Sequence, residues 1–513
     1  MESPIEDRMN RLKTHVAVWM AAILSLHAFL APPARAITIQ EEETLGQEFL
    51  KLATRHYRVI HDPAVAGYVD AIGRRILKQL PPQPFPYRFF VIQQDVYNAF
   101  AGPGGNIFIN GGLIEAMDSE DELAGILAHE ITHVQARHIS SRIDLASKIQ
   151  WATLAGMVAG IFLGIGGAGE AGSALTLGSV AATQSAFLAY SREDEMQADE
   201  LGIGTLTAAG YSGAGMMTVL KKIRDKQTFG PSDIPSYLMT HPAVDDRLAY
   251  LDTWIQGHPE ALQLLERRDN AAFLRFRTRL TAGYGNPEAA LRKMTAAITV
   301  SPEDPMFRHG YGIALARNGQ PKEGLRQVRK ALEKDPFNAL MLKDLGEIAF
   351  LDGQYEAARA ALEGSRGLDP EDFETFYLLG RTQLEMEENV QAAETLRTAL
   401  EKQPDFLRTL KYLGEAYGKQ GRMGDAHYYL GRYHHDRGDM KTATFHLRQV
   451  IKHSQDPRQK AEAEEMMLEA KKEEIAAKEK EEEEEARTAR RPRPGHRTRT
   501  SPFSSGQNGR TAW

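Results

Sequence analysis

The chain has 513 residues, no cysteine, 26% charged residues and a formal net charge of -7 at neutral pH. That length holds two or three domains with substantial cores. The missing cysteines exclude a disulfide framework, a thiol nucleophile and a cysteine-type zinc site, and a small negative charge spread over this length argues against a nucleic-acid binder.

Residues 1-36 read as a secretory signal. Arg8, Arg11 and Lys13 precede an apolar run from Val16 to Leu30, and Ala34-Arg35-Ala36 offers a small-x-small cleavage site before Ile37. The run is shorter than the ~20 residues of a spanning helix. Cleaved or kept as an anchor, it sends the rest of the chain across a membrane, in a Gram-negative-like cell to the periplasm. Glu41 to Leu80 is helical in pattern and stops at Pro81-Pro82-Gln83-Pro84. Tyr87 to Ile92 reads as a strand, and Asn106 to Asn110 as a second strand after the turn Pro103-Gly104-Gly105. A plain two-stranded ribbon would look the same.

The next segment carries the chemistry. Ser119 and Glu122 have the spacing of a capping box, and Leu123, Ile126, Leu127, Glu130, Ile131 and Val134 come after them at helical spacing. Within this helix His129-Glu130-Ile131-Thr132-His133 is an H-E-x-x-H pattern. Histidines four apart are about 40° apart around a helix, so both imidazoles reach one metal ion. Glu130, on a face that the pattern buries, stands where a carboxylate can take a proton from a water that the metal has acidified. His138 lies five residues past His133, which on a continuing helix is about 140° away, so it reads as structural or surface.

Trp151 to Gly169 holds no charge, with Gly156, Gly160 and Gly164 at four-residue spacing as in close-packed membrane helices. A single span there would put the two histidines and Glu195 on opposite sides of a membrane. The remaining readings are a double span with Ala171 to Ala189, or a soluble or interfacial hairpin over the cleft, which the many glycines and small polar residues favour. Two histidines and a water leave a catalytic zinc one ligand short, and Glu195 with Asp199, four apart, can present a ligand and an orienting carboxylate from one helical face. Alone, that spacing equally describes a solvated helix face.

Taken together, His-Glu-x-x-His followed by Glu195-Met196-Gln197-Ala198-Asp199 resembles the gluzincin-type peptidases of the HtpX and CAAX-prenyl-protease group. Asn98-Ala99-Phe100-Ala101-Gly102-Pro103-Gly104-Gly105-Asn106-Ile107 resembles that group's segment ahead of the motif helix, and Thr240-His241-Pro242 with Arg247 its downstream element. The resemblance implies zinc held by His129, His133 and Glu195, Glu130 as general base, and Asp199 orienting a histidine ligand. It brings His241 to the site as an oxyanion donor or as a fourth ligand that holds the enzyme inactive. Arg247 would supply positive charge near the oxyanion or steady the ligand shell. It also implies that the second strand lines the substrate cleft. Gly102, where relatives often carry a larger residue, leaves the shape of that cleft open.

From about Arg268 the periodicity changes. Pro302, Pro336, Pro370 and Pro404 are 34 residues apart, as are Gly312, Gly346, Gly380 and Gly414, and Gly324, Ala358, Ala392 and Ala426 keep the same step. This is the tetratricopeptide period and predicts an α-solenoid with a concave peptide- or protein-binding face. Lys471 to Arg487 is a Lys/Glu/Ala run, Arg490 to Arg499 is basic with prolines, and Ser501 onward is Ser/Gly-rich, which together read as a disordered tail.

The expected architecture is α+β: a signal at 1-36, a mainly helical zinc peptidase domain with a small β-sheet at 37-265, an all-α tetratricopeptide solenoid at 266-457 and a charged tail at 458-513. A signal, this peptidase and a repeat array together resemble periplasmic proteases of outer-membrane protein assembly and quality control. That resemblance implies unfolded or misassembled outer-membrane proteins as substrates, with the array docking on their assembly machinery, and possible membrane-surface contact by residues 151-189. The rival is a periplasmic tetratricopeptide chaperone or scaffold whose zinc site is idle or structural.

Overall fold

The computed structural model describes residues 37-145, 190-226, 236-259 and 270-472. The expected signal, the glycine-rich segment 151-189 and the terminal part of the tail lie outside the described residues. None of the described helices is long and apolar enough to cross a membrane. The chain divides into two compact units, residues 1-409 and 410-513.

The helical stretch expected over 41-80 is two helices, α1 (Ile39–His56) and α2 (Pro63–Leu77). The break is set by Asp62, whose carboxylate accepts the Ala64 N–H at the start of α2, where Pro63 needs no hydrogen-bond partner. The sheet has three strands rather than two: β1 (Arg88–Ile92), β2 (Ala99–Gly102) and β3 (Asn106–Asn110), in the order β1-β3-β2, with β3 parallel to β1 and antiparallel to β2. Phe90, Phe108 and Phe100 stand in register across the three strands and stack at 4.8 and 5.0 Å. β2 escaped the sequence reading because its four residues, Ala-Phe-Ala-Gly, are all buried and show no alternation. Gly102 is required there: a Cβ would fall 2.3 Å from the Phe49 ring of α1.

A short α3 (Gly111–Ala116) leads into α4 (Glu120–Gln135), buried from Asp121 to Val134. Ser119 caps α4 by accepting the Glu122 N–H, but the reciprocal arm of the expected box is missing, because the Glu122 carboxylate accepts from Lys222 at 2.7 Å instead. After α5 (His138–Leu145), α6 (Arg192–Ala208) opens with a complete capping box between Ser191 and Asp194. Then come α7 (Gly213–Lys226), the short α8 (Ser236–Thr240) and α9 (Val244–Gly257). α4 is the central element, packed against α2, α6, α7 and the sheet, and its apolar side chains from Leu123 to Val134 enter the core.

The repeat region of the first unit runs from α10 (Ala271–Tyr284) through α11 (Pro287–Val300), α12 (Pro305–Arg317), α13 (Pro321–Leu332), α14 (Ala339–Leu351), α15 (Tyr355–Leu368) and α16 (Phe373–Glu385) to α17 (Asn389–Lys402). The glycines at the 34-residue step are where paired helices touch: a Cβ on Gly346 would meet Leu362 Cγ at 2.5 Å, and one on Gly380 would meet Leu396 Cγ at the same distance. This array packs through charge on the segment that precedes it. Arg279 donates to Asp62 Oδ2 at 2.5 Å and to Asp344 Oδ2 at 2.5 Å, His309 Nε2 lies 2.7 Å from Asp344, and the Tyr284 hydroxyl donates to Asp62 at 3.0 Å. His61 meets the edge of Phe406 at 5.4 Å. These contacts seat the loop before α2 on the repeat region.

In the second unit, α19 (Met423–Asp436) and α20 (Met440–His453) pair after α18 (Arg408–Lys419), and a further helix covers 457-472. This corrects the expected start of the tail at 458. Ala463 is buried with Tyr428, Ala443, Leu447 and Val450, and Met466 and Met467 pack beside it. That apolar face, hidden among Glu and Lys, makes 457-472 part of the folded unit.

Candidate metal centre

α4 delivers the two histidines as their spacing requires, with His129 Nε2 and His133 Nε2 2.9 Å apart. α6 lies across it and brings Glu195, Oε1 3.4 Å from His133 Nε2 and Oε2 3.5 Å from His129 Nε2. The turn after α8 adds His241, whose Nδ1 lies 3.0 Å from Glu195 Oε1 and 3.3 Å from His129 Nε2. One donor atom from each of these four buried residues lies within 4.8 Å of the other three. Tetrahedral zinc with bonds of about 2.0–2.2 Å to N and O spaces its donors by roughly 3.3–3.5 Å, so the cluster fits such an ion.

Glu130 is fully buried beside this cluster, its Oε1 3.5 Å from His241 Nε2, and neither carboxylate oxygen has a hydrogen-bond partner among the described residues. Burial pushes its carboxyl above the ordinary glutamate range, against the pull of His241 and His129. Glu195 behaves oppositely. Burial would raise it, but His241 and Arg247 outweigh that and hold it well below the usual range.

A surrounding layer orients the donors. Asp199 Oδ1 lies 2.9 Å from His129 Nδ1. Arg247, buried on α9, donates to both oxygens of Asp199 at 2.7 and 2.8 Å, and its third nitrogen lies 2.6 Å from Glu195 Oε2. These contacts put the guanidinium in the role of steadying the ligand shell. It gets there because Ala243, at φ 61°, turns the chain sharply after Pro242 so that α9 starts against α6. The backbone also ties His241 in place: its N–H donates to Tyr237 O at 2.8 Å, and the Tyr190 N–H donates to Thr240 O at 2.9 Å.

All seven residues singled out in the sequence, His129, Glu130, His133, Glu195, Asp199, His241 and Arg247, come together here. Two aromatic residues had not been singled out: the Tyr190 ring stacks on His133 at 3.7 Å and Tyr237 on His241 at 4.3 Å. Tyr237 sits four residues before His241, a spacing that could have signalled it; Tyr190 carried no such mark. Of the two expectations for His138, structural or surface, the buried one holds, but the direction expected for its side chain does not. α4 ends at Gln135, Arg137 takes φ 57°, and the chain turns back, so the 140° extrapolation along a straight helix fails. His138 is buried, with Nδ1 2.9 Å from His133 Nδ1 and Nε2 2.8 Å from Gln197 Oε1.

Residues 63-255 match peptidase family M48, and residues 312-373 and 349-408 match tetratricopeptide repeat families. The β-barrel assembly-enhancing protease of Yersinia pestis is 26% identical over 337 residues, 64% of this chain and 67% of that protein. The protein of the same name from Escherichia coli K12 is 30% identical over 213 residues, covering 42% of this chain and 43% of the relative. The mitochondrial metalloendopeptidase OMA1 of Schizosaccharomyces pombe is 25% identical over 202 residues, 39% of this chain and 56% of that protein. The chain thus matches about two thirds of the first relative's length and less of the other two.

Proposed function

From a chain that joins an M48 peptidase segment to tetratricopeptide repeats and resembles the β-barrel assembly-enhancing proteases, we propose a zinc-dependent endopeptidase in which His129, His133 and Glu195 hold the ion and Glu130 is the general base. The observation that carries this reading is a buried Glu130 carboxylate, without a hydrogen-bond partner among the described residues, next to a buried four-residue donor set. A structural site needs no such base, and an unpartnered buried carboxylate is costly to keep.

Zinc, when bound, supplies a Lewis acid that polarises the scissile carbonyl and acidifies water. Glu130 takes the proton of the attacking water on a carboxylate oxygen and returns it to the leaving amine; its raised proton affinity suits both transfers. Asp199 accepts from His129 Nδ1–H and so keeps the Nε2 lone pair turned to the donor cluster. Arg247 holds Asp199 and Glu195 charged in a buried place.

His241, the fourth donor, would fill the position that a catalytic zinc keeps open for water or substrate. We propose that this arrangement is a resting state and that turnover requires the His241 segment to move off the cluster. By the signal-like residues 1-36 and the likeness to its relatives, the enzyme would work in the periplasm on unfolded or misassembled outer-membrane proteins, with the repeats engaging their assembly machinery.

The test is zinc content and hydrolysis of an unfolded protein by residues 37-513, beside Glu130→Gln. Stoichiometric zinc in both, with hydrolysis in the parent and a loss of roughly 10²–10⁴-fold in the variant, is expected of a general base. Hydrolysis unchanged in Glu130→Gln, or a parent that binds no zinc, would leave the scaffold reading.

A further inference from the structure

His138 and Gln197 form a chain of side chains that ends on a proposed metal donor. His138 Nε2 lies 2.8 Å from Gln197 Oε1, and His138 Nδ1 lies 2.9 Å from His133 Nδ1. On the other side of the His133 ring, Nε2 faces His129 Nε2 at 2.9 Å and Glu195 Oε1 at 3.4 Å.

With the Gln197 amide oxygen facing His138, one arrangement of hydrogens satisfies this chain. An amide oxygen only accepts, so the hydrogen between Gln197 and His138 sits on His138 Nε2. Neutral His138 then has a lone pair on Nδ1 and accepts from His133 Nδ1–H. His133 is left with its lone pair on Nε2, aimed into the cluster. Reversing the Gln197 amide reverses every step: His133 would carry its hydrogen on Nε2, pointed at the donors, and could not ligate.

We infer that His138 is a positioning residue for the metal site, selecting the ligating tautomer of His133 as Asp199 does for His129. The inference rests on the zinc reading of the donor cluster. Two further observations support it. The left-handed turn at Arg137 aims His138 back at α4, and Asp194 Oδ1 lies 3.8 Å from His138 Nε2, placing a carboxylate where the donated hydrogen lies. Asp194 and Gln197 are three apart on α6, so the helix that supplies Glu195 and Asp199 also supplies the far end of this chain. His138 is not itself among the four clustered donors.

The experiment uses residues 37-513 carrying His138→Leu, His138→Gln, Gln197→Leu or His129→Ala. It reads the zinc dissociation constant by chelator competition and the visible spectrum of the cobalt-substituted protein. His138→Leu removes the acceptor and is expected to weaken zinc by ~10–100-fold, the usual effect of losing such a partner, and to change the cobalt band. His138→Gln keeps an acceptor and should restore most of the affinity. Gln197 is exposed, so Gln197→Leu probes the same chain without emptying the core and should weaken zinc in the same direction. Zinc affinity and cobalt spectrum unchanged in both Leu variants, or His138→Gln no better than His138→Leu, overturns the inference. If His129→Ala loses zinc while the Leu variants keep it, the metal site stands and the role of His138 falls. A parent without zinc removes both.

Discussion

Arg247 grips Asp199 with two nitrogens, Nε 2.7 Å from Oδ2 and Nη2 2.8 Å from Oδ1, in a place closed to solvent. The remaining nitrogen reaches Glu195 at 2.6 Å, so one guanidinium fixes both carboxylates of α6. A lysine has the charge but not the fork. Arg247→Lys should therefore keep the fold and weaken zinc by ~10–100-fold, while Arg247→Met, which strands two buried carboxylates, should cost about 3–5 kcal/mol of stability. Chelator competition and urea denaturation check these outcomes, and zinc affinity unchanged in Arg247→Lys would show that the fork is not needed.

His241 is the donor whose removal distinguishes the two roles left open by the sequence. Its Nδ1 sits 3.0 Å from Glu195 and its ring stacks on Tyr237. If it closes the site, His241→Ala should retain zinc through His129, His133 and Glu195 and hydrolyse an unfolded substrate faster than the parent. A fall of ~10²–10³-fold in kcat with zinc retained would instead assign it to the developing oxyanion. Steady-state kinetics with zinc analysis of the same samples decides between them.

The features legible in the sequence are those set by period and spacing. H-E-x-x-H works through the 3.6-residue turn alone, so His129, Glu130 and His133 could be placed before any fold was known. Glu195 and Asp199 are likewise one helical step apart, but their meeting with α4 depended on the family resemblance. The 34-residue recurrence identified the solenoid because each close helix contact demands a small residue at one position. The features that stayed hidden depended on a local departure from regular geometry. His138 was misplaced because Arg137 is left-handed, and the helix over 457-472 was hidden by its charge although Ala463 and its neighbours form an apolar face. The contact of Asp62 with Asp344 through Arg279 joins positions far apart in sequence, which no periodicity reports.

That three-residue bridge should carry stability. Arg279 is nearly buried between Asp62 and Asp344. Burial would raise both carboxyls, but Arg279 together with Lys343 at Asp62, and with His309 at Asp344, holds each below the ordinary aspartate range. Removing the cation leaves two buried anions, so Arg279→Met should destabilise the first unit by about 3–5 kcal/mol in urea denaturation. The depressed values set the sign with pH. The contribution is fully present above the unfolded aspartate pKa of about 4 and is lost as pH falls below it. An Arg279→Met midpoint equal to the parent's at pH 7 would show that repeats and peptidase are held together by their apolar contacts.

The second unit should respond to milder acid. His446 Nδ1 lies 2.8 Å from His427 Nδ1, His434 stacks on the His446 ring at 5.6 Å, and Asp439 faces His434 at 3.1 Å. Two facing Nδ1 atoms can share one hydrogen, not two, so the pair is satisfied only while at least one ring is neutral. Burial, helped by the charges of His427 and His434, lowers His446 to about 4. An unfolded histidine titrates near 6.5, so the unfolded chain takes up the proton first, and the stability that this pair contributes is present above about 6.5 and lost as pH falls toward 4. Amide hydrogen exchange in α19 and α20 should therefore quicken between pH 7 and pH 5 relative to the intrinsic rate, and the change should shrink in His446→Gln, which cannot be protonated. Exchange that is equally pH-dependent in that variant would assign the acid sensitivity to other groups of the unit.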